Sequence, residues 1–229
     1  MTVGDIITFN EMCAAEGQML QRGMYFRLRG RHSVLLMSMR RGAPYRDKWE
    51  EGGKILVYEG HDAPKRDEIN PKLVDQPATT PKGTPTQNAL FLHAATEYRN
   101  GRSRPEVVKI YEKIRDGIWA YNGAFQLVDG CIEPDGKRNV FKFRLRMITE
   151  ENRTIEPVSP DLSVQRGIPS AIKQEVYKRD RGQCVICGAT DNLHFDHELP
   201  FSVGGSSLTA KNVRLLCARH NLEKSNKIQ

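Results

Sequence analysis

Cys184-Val-Ile-Cys187, His194-Phe-Asp196-His197, Asn212 and Cys217-Ala-Arg-His220-Asn221 follow one another in the last quarter of this chain. Two thiolates separated by two residues fit one turn of backbone around a tetrahedral Zn²⁺, and Cys217 with His220 repeats that grip after twenty-nine intervening residues. A knuckle pair closed by a distant second pair is a structural site. Between the pairs lies Asp196-His197, an acid beside an imidazole, followed by Pro200 and the turn Val203-Gly204-Gly205-Ser206. Such a pair can place a carboxylate on a divalent cation while the imidazole takes a proton from water, as phosphodiester hydrolysis requires. Asn221 can offer a neutral oxygen to the same cation.

The segment from about residue 168 to 229 resembles the HNH endonuclease family, on Cys184-Val-Ile-Cys187, His194-Phe-Asp196-His197, Pro200, Gly204-Gly205, Asn212-Val-Arg-Leu-Leu-Cys217 and His220-Asn221 with Lys224. The resemblance implies a ββα-metal fold, a hairpin and a helix around one catalytic ion. It implies that His197 is the general base, that Asp196 and Asn221 hold Mg²⁺ or Mn²⁺, and that Asn212 orients the base. Lys224 is expected at a phosphate. Many knuckle-bearing members have four Cys where this chain has His220 in the fourth place. Cys184, Cys187, Cys217 and His220 still form an ordinary Cys₃His zinc set. His194 reads as a packing or hydrogen-bonding residue.

Something must bring these residues to DNA. A nuclease module of about sixty residues leaves about 150 for a second domain. The 229 residues carry a net charge of +7 and a pI of about 9.2, which suits a polyanionic partner. Cys13 and Cys131 have no spacing partner, so a disulfide framework is not expected. Neither an export signal nor an apolar run of membrane length is present in the sequence, so a cytoplasmic protein is expected, without a membrane partner.

Asn10 is placed to cap a short helix through Leu20, and Tyr25 to Met39 suggests one or two strands. Positions 22 to 48 hold Arg22, Arg27, Arg29, Arg31, Arg40, Arg41, Arg46 and Lys48 against the single acid Asp47. Either a solvated face or a phosphate-binding face, with Arg40 and Arg41 as contacts, explains that run. Ile55 to Tyr58 reads as a strand. Residues 60 to 88, with five prolines, read as an excursion from one domain. A helix is predicted over Asn88 to Arg99 and a strand over Pro105 to Ile114. Trp119 to Val128 reads as a strand pair turning at Asn122-Gly123. Val140 to Met147 alternates Phe141, Phe143, Leu145 and Met147 with Lys142, Arg144 and Arg146, a half-buried strand with a basic outer face. Thr149 to Gly167 is the expected linker, and Ser170 the expected cap of the helix before the knuckle.

The order of these elements is similar to a second family. Gly42-Ala-Pro-Tyr45-Arg-Asp47-Lys-Trp49, Ile55-Leu-Val-Tyr58-Glu-Gly60, Asp75-Gln76, Thr86-Gln-Asn88-Ala89-Leu90, Arg104-Pro105-Glu-Val107-Val108 and Tyr121-Asn122-Gly123 through Val128 together resemble the SRA (SAD or YDG) domain. The resemblance implies a curved β-barrel that flips a modified cytosine into a pocket. Tyr45 and Tyr58 match its stacking positions and Asp47 lies nearest its base-reading acid. The longer spacing between the tyrosines leaves Trp49 as another stacking candidate. A flipped base needs π-faces above and below it and an acceptor for its exocyclic amine.

The expected architecture is therefore α+β: residues 1–150 an SRA-like recognition domain, 151–167 a linker, 168–229 a zinc-stapled HNH domain. A modified-cytosine reader joined to such a cutter resembles the modification-dependent, type IV-like restriction endonucleases of bacteria. The function expected is hydrolysis of double-stranded DNA near 5-methylcytosine or 5-hydroxymethylcytosine. One active site nicks one strand, so a double-strand break calls for a homodimer or two binding events. Two alternatives stand beside it: an HNH nuclease whose β-rich domain lacks methyl specificity, and a non-catalytic zinc-containing DNA reader.

Overall fold

The computed structural model describes residues 1–65, 70–148, 168–197 and 210–225. Pro200, the turn 203–206 and the expected linker 151–167 lie outside the described residues. The chain is mixed α+β and rich in sheet. It forms two compact units. One comprises residues 1–20, 111–123 and the described residues from 168 onward; the other comprises 21–110 and 124–148.

The first unit begins with β1 (Asp5–Thr8) and α1 (Phe9–Glu16). Thr8, and not Asn10, caps this helix: the Glu11 amide donates to Thr8 Oγ1 at 3.2 Å and the Thr8 amide donates to Glu11 Oε2 at 2.7 Å. Gly17 at φ 67° ends the helix before Leu20. β1 pairs antiparallel with the start of β7 (Ile118–Pro134), Ile6 opposite Ala120. On its other edge it pairs with β9 (Leu193–His197), Asp5 opposite His194. β9 pairs in turn with β10 (Val213–Cys217), Leu215 opposite Phe195. Residues 1–20 and 111–123 therefore belong with the C-terminal residues, so this unit differs in extent from the expected 168–229. α3 (Ser170–Arg179) and α4 (Ala218–Ser225) complete it. Pro169 occupies the cap position of α3 and Ser170 is its first helical residue. Proline suits a helix start because its missing N–H would lack a helical partner there. Val176, Leu193, Phe195, Val213, Leu215 and Leu216 are the centre of the apolar core.

The second unit contains β2 (Met24–Tyr25) paired with β3 (Ser33–Met37), and the ladder β4 (Lys48–Glu50), β5 (Ile55–Glu59), β8 (Asn139–Met147). β8 continues onto the far part of β7, with a bulge between Leu127 and Asp129. The alternation read in β8 holds: Phe141, Phe143, Leu145 and Met147 are buried. On the other face, Lys142 and Arg144 pair with Glu59 and Glu50 at 2.9 and 2.7 Å. α2 (Gln87–Arg99) is capped by Thr86 and buries Phe91 against the same core.

β6 (Glu106–Arg115) and β7 correct the hairpin expected at Asn122-Gly123. The chain reverses at Asp116-Gly117, and residues 118–134 are one strand. Asn122 is buried at 4 % exposure inside it, and Gly123 keeps φ at +98°. A Cβ at Gly123 would lie 2.9 Å from Val3 Cγ2, so this glycine serves close packing within the strand. Asn122 Nδ2 donates to Glu112 Oε2 at 3.0 Å, and Lys173 of α3 donates to Glu112 Oε2 at 2.9 Å and to Asn122 Oδ1.

Candidate metal centre and aromatic site

In the first unit, α3 ends in a turn through Arg181 and Gly182, both at positive φ, and the chain enters the knuckle. The Cys184 amide donates to the Ala189 carbonyl at 2.8 Å and the Gly188 amide to the Cys184 carbonyl at 2.8 Å, which folds the four residues back on themselves. Cys217 closes β10, and His220 lies three residues on, in the first turn of α4.

The ligand atoms of Cys184, Cys187, Cys217 and His220 all lie within 4.8 Å of one another. His220 Nδ1 is 3.4 Å from Cys184 Sγ and 3.3 Å from Cys217 Sγ, and the sulfurs of Cys187 and Cys217 are 3.8 Å apart. A tetrahedron with ordinary Zn–S and Zn–N bonds has S···S edges of about 3.8 Å and S···N edges of about 3.6 Å. The quartet fits Zn²⁺ in donor chemistry and in size. Burial works to raise the Cys184 thiol, but the amides of Cys217, Cys187 and Ile186 and the His220 ring lower it to about 6, which favours the thiolate a metal needs.

Asp196 and His197 end β9, opposite Arg214 and Val213 of β10. Asn212 directly precedes β10, one position beyond the partner of His197. Asn221 and Lys224 share one face of α4 through their three-residue spacing. Lys224 Nζ donates to Asp196 Oδ2 at 2.6 Å and to the His197 carbonyl. Arg214 Nε lies 3.6 Å from the same Asp196 oxygen. Lys224, expected at a phosphate, thus sits on the acid. Burial holds the His197 imidazole below its usual range; Asp196 opposes that and Lys224 adds to it. His194 bonds Asp5 through Nδ1 at 2.7 Å.

The oxygen donors of Asp196 and Asn221 are of the kind Mg²⁺ or Mn²⁺ takes, the remaining positions being filled by water and phosphate. That cation would share the Asp196 carboxylate with the Lys224 ammonium or replace it.

In the second unit, Tyr45 and Tyr58 come together around a residue that the sequence reading passed over. The His61 ring stacks on Tyr45 with centroids 4.9 Å apart and planes 6° apart, and lies 6.1 Å from the Tyr58 ring at 38°. Its Nε2 is 2.8 Å from Tyr58 Oη. Lys72 places its ammonium 4.4 Å from the Tyr45 ring centroid and pairs with Asp62 at 2.7 Å. Asp62 also pairs with Arg138, a side chain 1 % exposed, at 2.6 Å. Burial pushes the Tyr45 and Tyr58 hydroxyls above their usual range and lowers the His61 imidazole to about 4, so this imidazole is neutral near pH 7.

Asp47 accepts the Glu59 amide at 3.0 Å and the Ser38 amide at 3.5 Å. Burial raises its carboxyl to about 7, against these hydrogen bonds. Trp49 packs its ring 5.8 Å from Phe125, against the core of the unit. Arg40 is half-buried and Arg41 exposed, in the loop before Tyr45.

Gly60 explains how the loop after β5 reaches the tyrosines. A Cβ there would come within 2.8 Å of Asn88 Oδ1, Gln76 Oε1 and Phe141 Cβ, so only hydrogen fits. His61, Lys72 and Arg138 are scattered through the sequence, and only the histidine three residues after Tyr58 carries a local signal.

No protein-family model matches this chain, and no curated protein matches it. Among solved structures, the chain is similar to the SRA domain of SUVH5 in complex with hemi-methylated CG DNA, at 20 % identity and TM-score 0.44, covering 71 % of this chain and 94 % of that one. It is similar to the same domain bound to fully hydroxymethylated CG DNA, at 20 % identity, TM-score 0.45 and the same 71 % and 94 % coverage. It is also similar to KRYPTONITE in complex with mCHG DNA and SAH, at 16 % identity and TM-score 0.43, covering 74 % of this chain and 38 % of that one.

Proposed function

We propose that this protein is a DNA endonuclease that takes a flipped 5-methylcytosine or 5-hydroxymethylcytosine between Tyr45 and Tyr58 and hydrolyses a phosphodiester bond through Asp196 and His197. The observation that carries the nuclease reading is the meeting of Asp196, His197 and Lys224 at the end of β9, with Lys224 on the same helix as His220 of a Cys₃His quartet of zinc dimensions. Support for the base-reading half is that Tyr45 and Tyr58 both engage one flat heterocycle, the imidazole of His61.

Cys184, Cys187, Cys217 and His220 would hold Zn²⁺, a cross-link between the knuckle and α4. Asp196 and Asn221 would hold Mg²⁺ or Mn²⁺, which when bound supplies a Lewis acid for the phosphoryl oxygens. His197 takes a proton from the attacking water; Asn212, immediately before β10 and next in sequence to the strand partner of His197, orients the imidazole. As the water oxygen bonds to phosphorus, the opposite P–O bond breaks. Lys224 keeps positive charge beside Asp196. Tyr45 and Tyr58 offset an unstacking cost of a few kcal/mol by stacking on the base.

The test is cleavage of one duplex in matched unmodified, 5-methylcytosine and 5-hydroxymethylcytosine forms, with Mg²⁺ or Mn²⁺, by the zinc-loaded wild type and by His197→Ala. Metal-dependent cutting of the modified forms alone, lost in His197→Ala, is the expected result. Equal cutting of all three removes the modified-base reading, and unaltered cutting by His197→Ala removes the nuclease assignment.

A further inference from the structure

The backbone at His61 is fixed from both sides. Its amide donates to Asn88 Oδ1 at 2.8 Å, and its carbonyl accepts from Asn88 Nδ2 at 2.8 Å. One residue earlier, the Gly60 amide donates to the Phe141 carbonyl at 2.8 Å and the Gly60 carbonyl accepts from Gln76 Nε2 at 2.6 Å. With the main chain held, the freedom left to His61 is rotation about its side-chain bonds.

The ring itself fills the space a base would need. It covers a face of Tyr45 in near-parallel stacking, bonds the Tyr58 hydroxyl, and rests against Gly23, where a Cβ would be 2.5 Å from its Cε1 and Nε2. A pyrimidine and this imidazole cannot occupy that face of Tyr45 together.

We propose that His61 is the resident occupant of the base slot, and that a flipped base is admitted only by exchange with the His61 ring. The inference rests on the reading of Tyr45 and Tyr58 as the stacking partners. Exchange gives up one hydrogen bond and one ring stack, so the open state is the minor one. Binding through a minor state is weakened by the fraction open, equally for every base that uses it. From ordinary values for one hydrogen bond and one aromatic pair, that fraction is about one in ten or less. His61 therefore sets the affinity of the reading site for any base that enters it, and with it the margin over duplexes held through phosphates alone.

The experiment uses the full zinc-loaded chain carrying His197→Ala to block cutting, and measures anisotropy binding to the 5-methylcytosine and unmodified duplexes. His61→Ala is expected to bind the modified duplex at least about tenfold more tightly, with binding to the unmodified duplex, held through phosphates, unchanged. Tyr45→Ala run alongside separates the two ideas. If it leaves discrimination intact, the base-slot reading fails and this inference with it. If it abolishes discrimination while His61→Ala binds the modified duplex no better, the slot stands and the exchange is wrong. A measurement on the native side chain guards against a misfolded variant. The His61 ring protons, shifted upfield by the stacked tyrosine, should move back toward ordinary values when modified duplex is added, and an unmoved signal in the saturated complex overturns the proposal.

Discussion

Replacing Lys173 by methionine should cost the first unit more than any surface change of equal size. The Lys173 side chain is 4 % exposed and that of its partner Glu112 is fully buried, with 2.9 Å between Nζ and Oε2. Methionine fills much of the same volume, so the cavity contribution is small and the loss is electrostatic. Glu112 would keep one donor, Asn122 Nδ2, while its Oε1 already has no hydrogen-bond partner among the described residues. Removing one member of a buried pair costs about 3–5 kcal/mol, because the remaining charge stays buried without its counter-ion. Against a total stability of about 5–15 kcal/mol, that moves the unit close to its unfolding threshold. The assay is urea unfolding of the zinc-loaded chain in a Trp49→Phe background, leaving Trp119, a residue of the first unit, as the reporter. Glu112→Gln added to Lys173→Met removes the stranded charge and should recover part of the loss. A loss under about 1 kcal/mol for Lys173→Met, or a double variant less stable than Lys173→Met alone, would refute the reasoning.

Three further outcomes are expected. The Asp47 carboxyl is raised from 3.8 unfolded to about 7 in the fold, so between those values the folded chain holds a proton that the unfolded chain has released. The second unit then loses stability as pH rises through that window, by at most about 4 kcal/mol, and Asp47→Asn should flatten the dependence in unfolding titrations at pH 4, 5.5 and 7. Removing zinc with a strong chelator, or substituting Cys217→Ser, should abolish protection of the β9 and β10 amides in hydrogen exchange while those of β8 and α2 persist; retained protection would mean that the quartet needs no metal to hold its place. Gly123→Ala places a methyl against Val3 at a backbone angle of φ +98° and should cost about 1–3 kcal/mol by thermal melting, whereas Gly136→Ala, at φ +94° with open space around it, isolates the contribution of strain alone.

What could be read from the sequence was what short spacing encodes. The four candidate metal ligands form two short spaced pairs, so a turn and a helix start are enough to bring the members of each pair together. The alternation of Val140 to Met147 likewise states its own burial. Asn122-Gly123 shows the opposite: a dipeptide with strong turn preference sits inside a long strand because Glu112 and Lys173, ten and fifty-one positions away, satisfy the asparagine amide. Local preference was outweighed by buried hydrogen bonds. The stack of His61 on Tyr45 was hidden for a related reason. Tyr45 and Tyr58 advertised themselves as aromatic, but the ring lying against them depends on how Gly60 lets the loop pack on Asn88 and Gln76, which no periodicity records. Asn10 is the stronger capping residue by type, yet the reciprocal bonds between Thr8 and Glu11 set the helix start two residues earlier.

The pairing of β1 with β9 has a consequence for how the chain is made. Asp5 faces His194, and a ribosome adding about 5–20 residues per second produces the second of these roughly 10–40 s after the first. During that interval the β9-facing edge of β1 has no native partner, and the strand must wait or be shielded. The residues beside Asp196 and His197 can reach their final neighbours only once both distant parts of the chain exist. The β1–β9–β10 part of the sheet is then completed only after residues 21–110 and 124–148 have emerged.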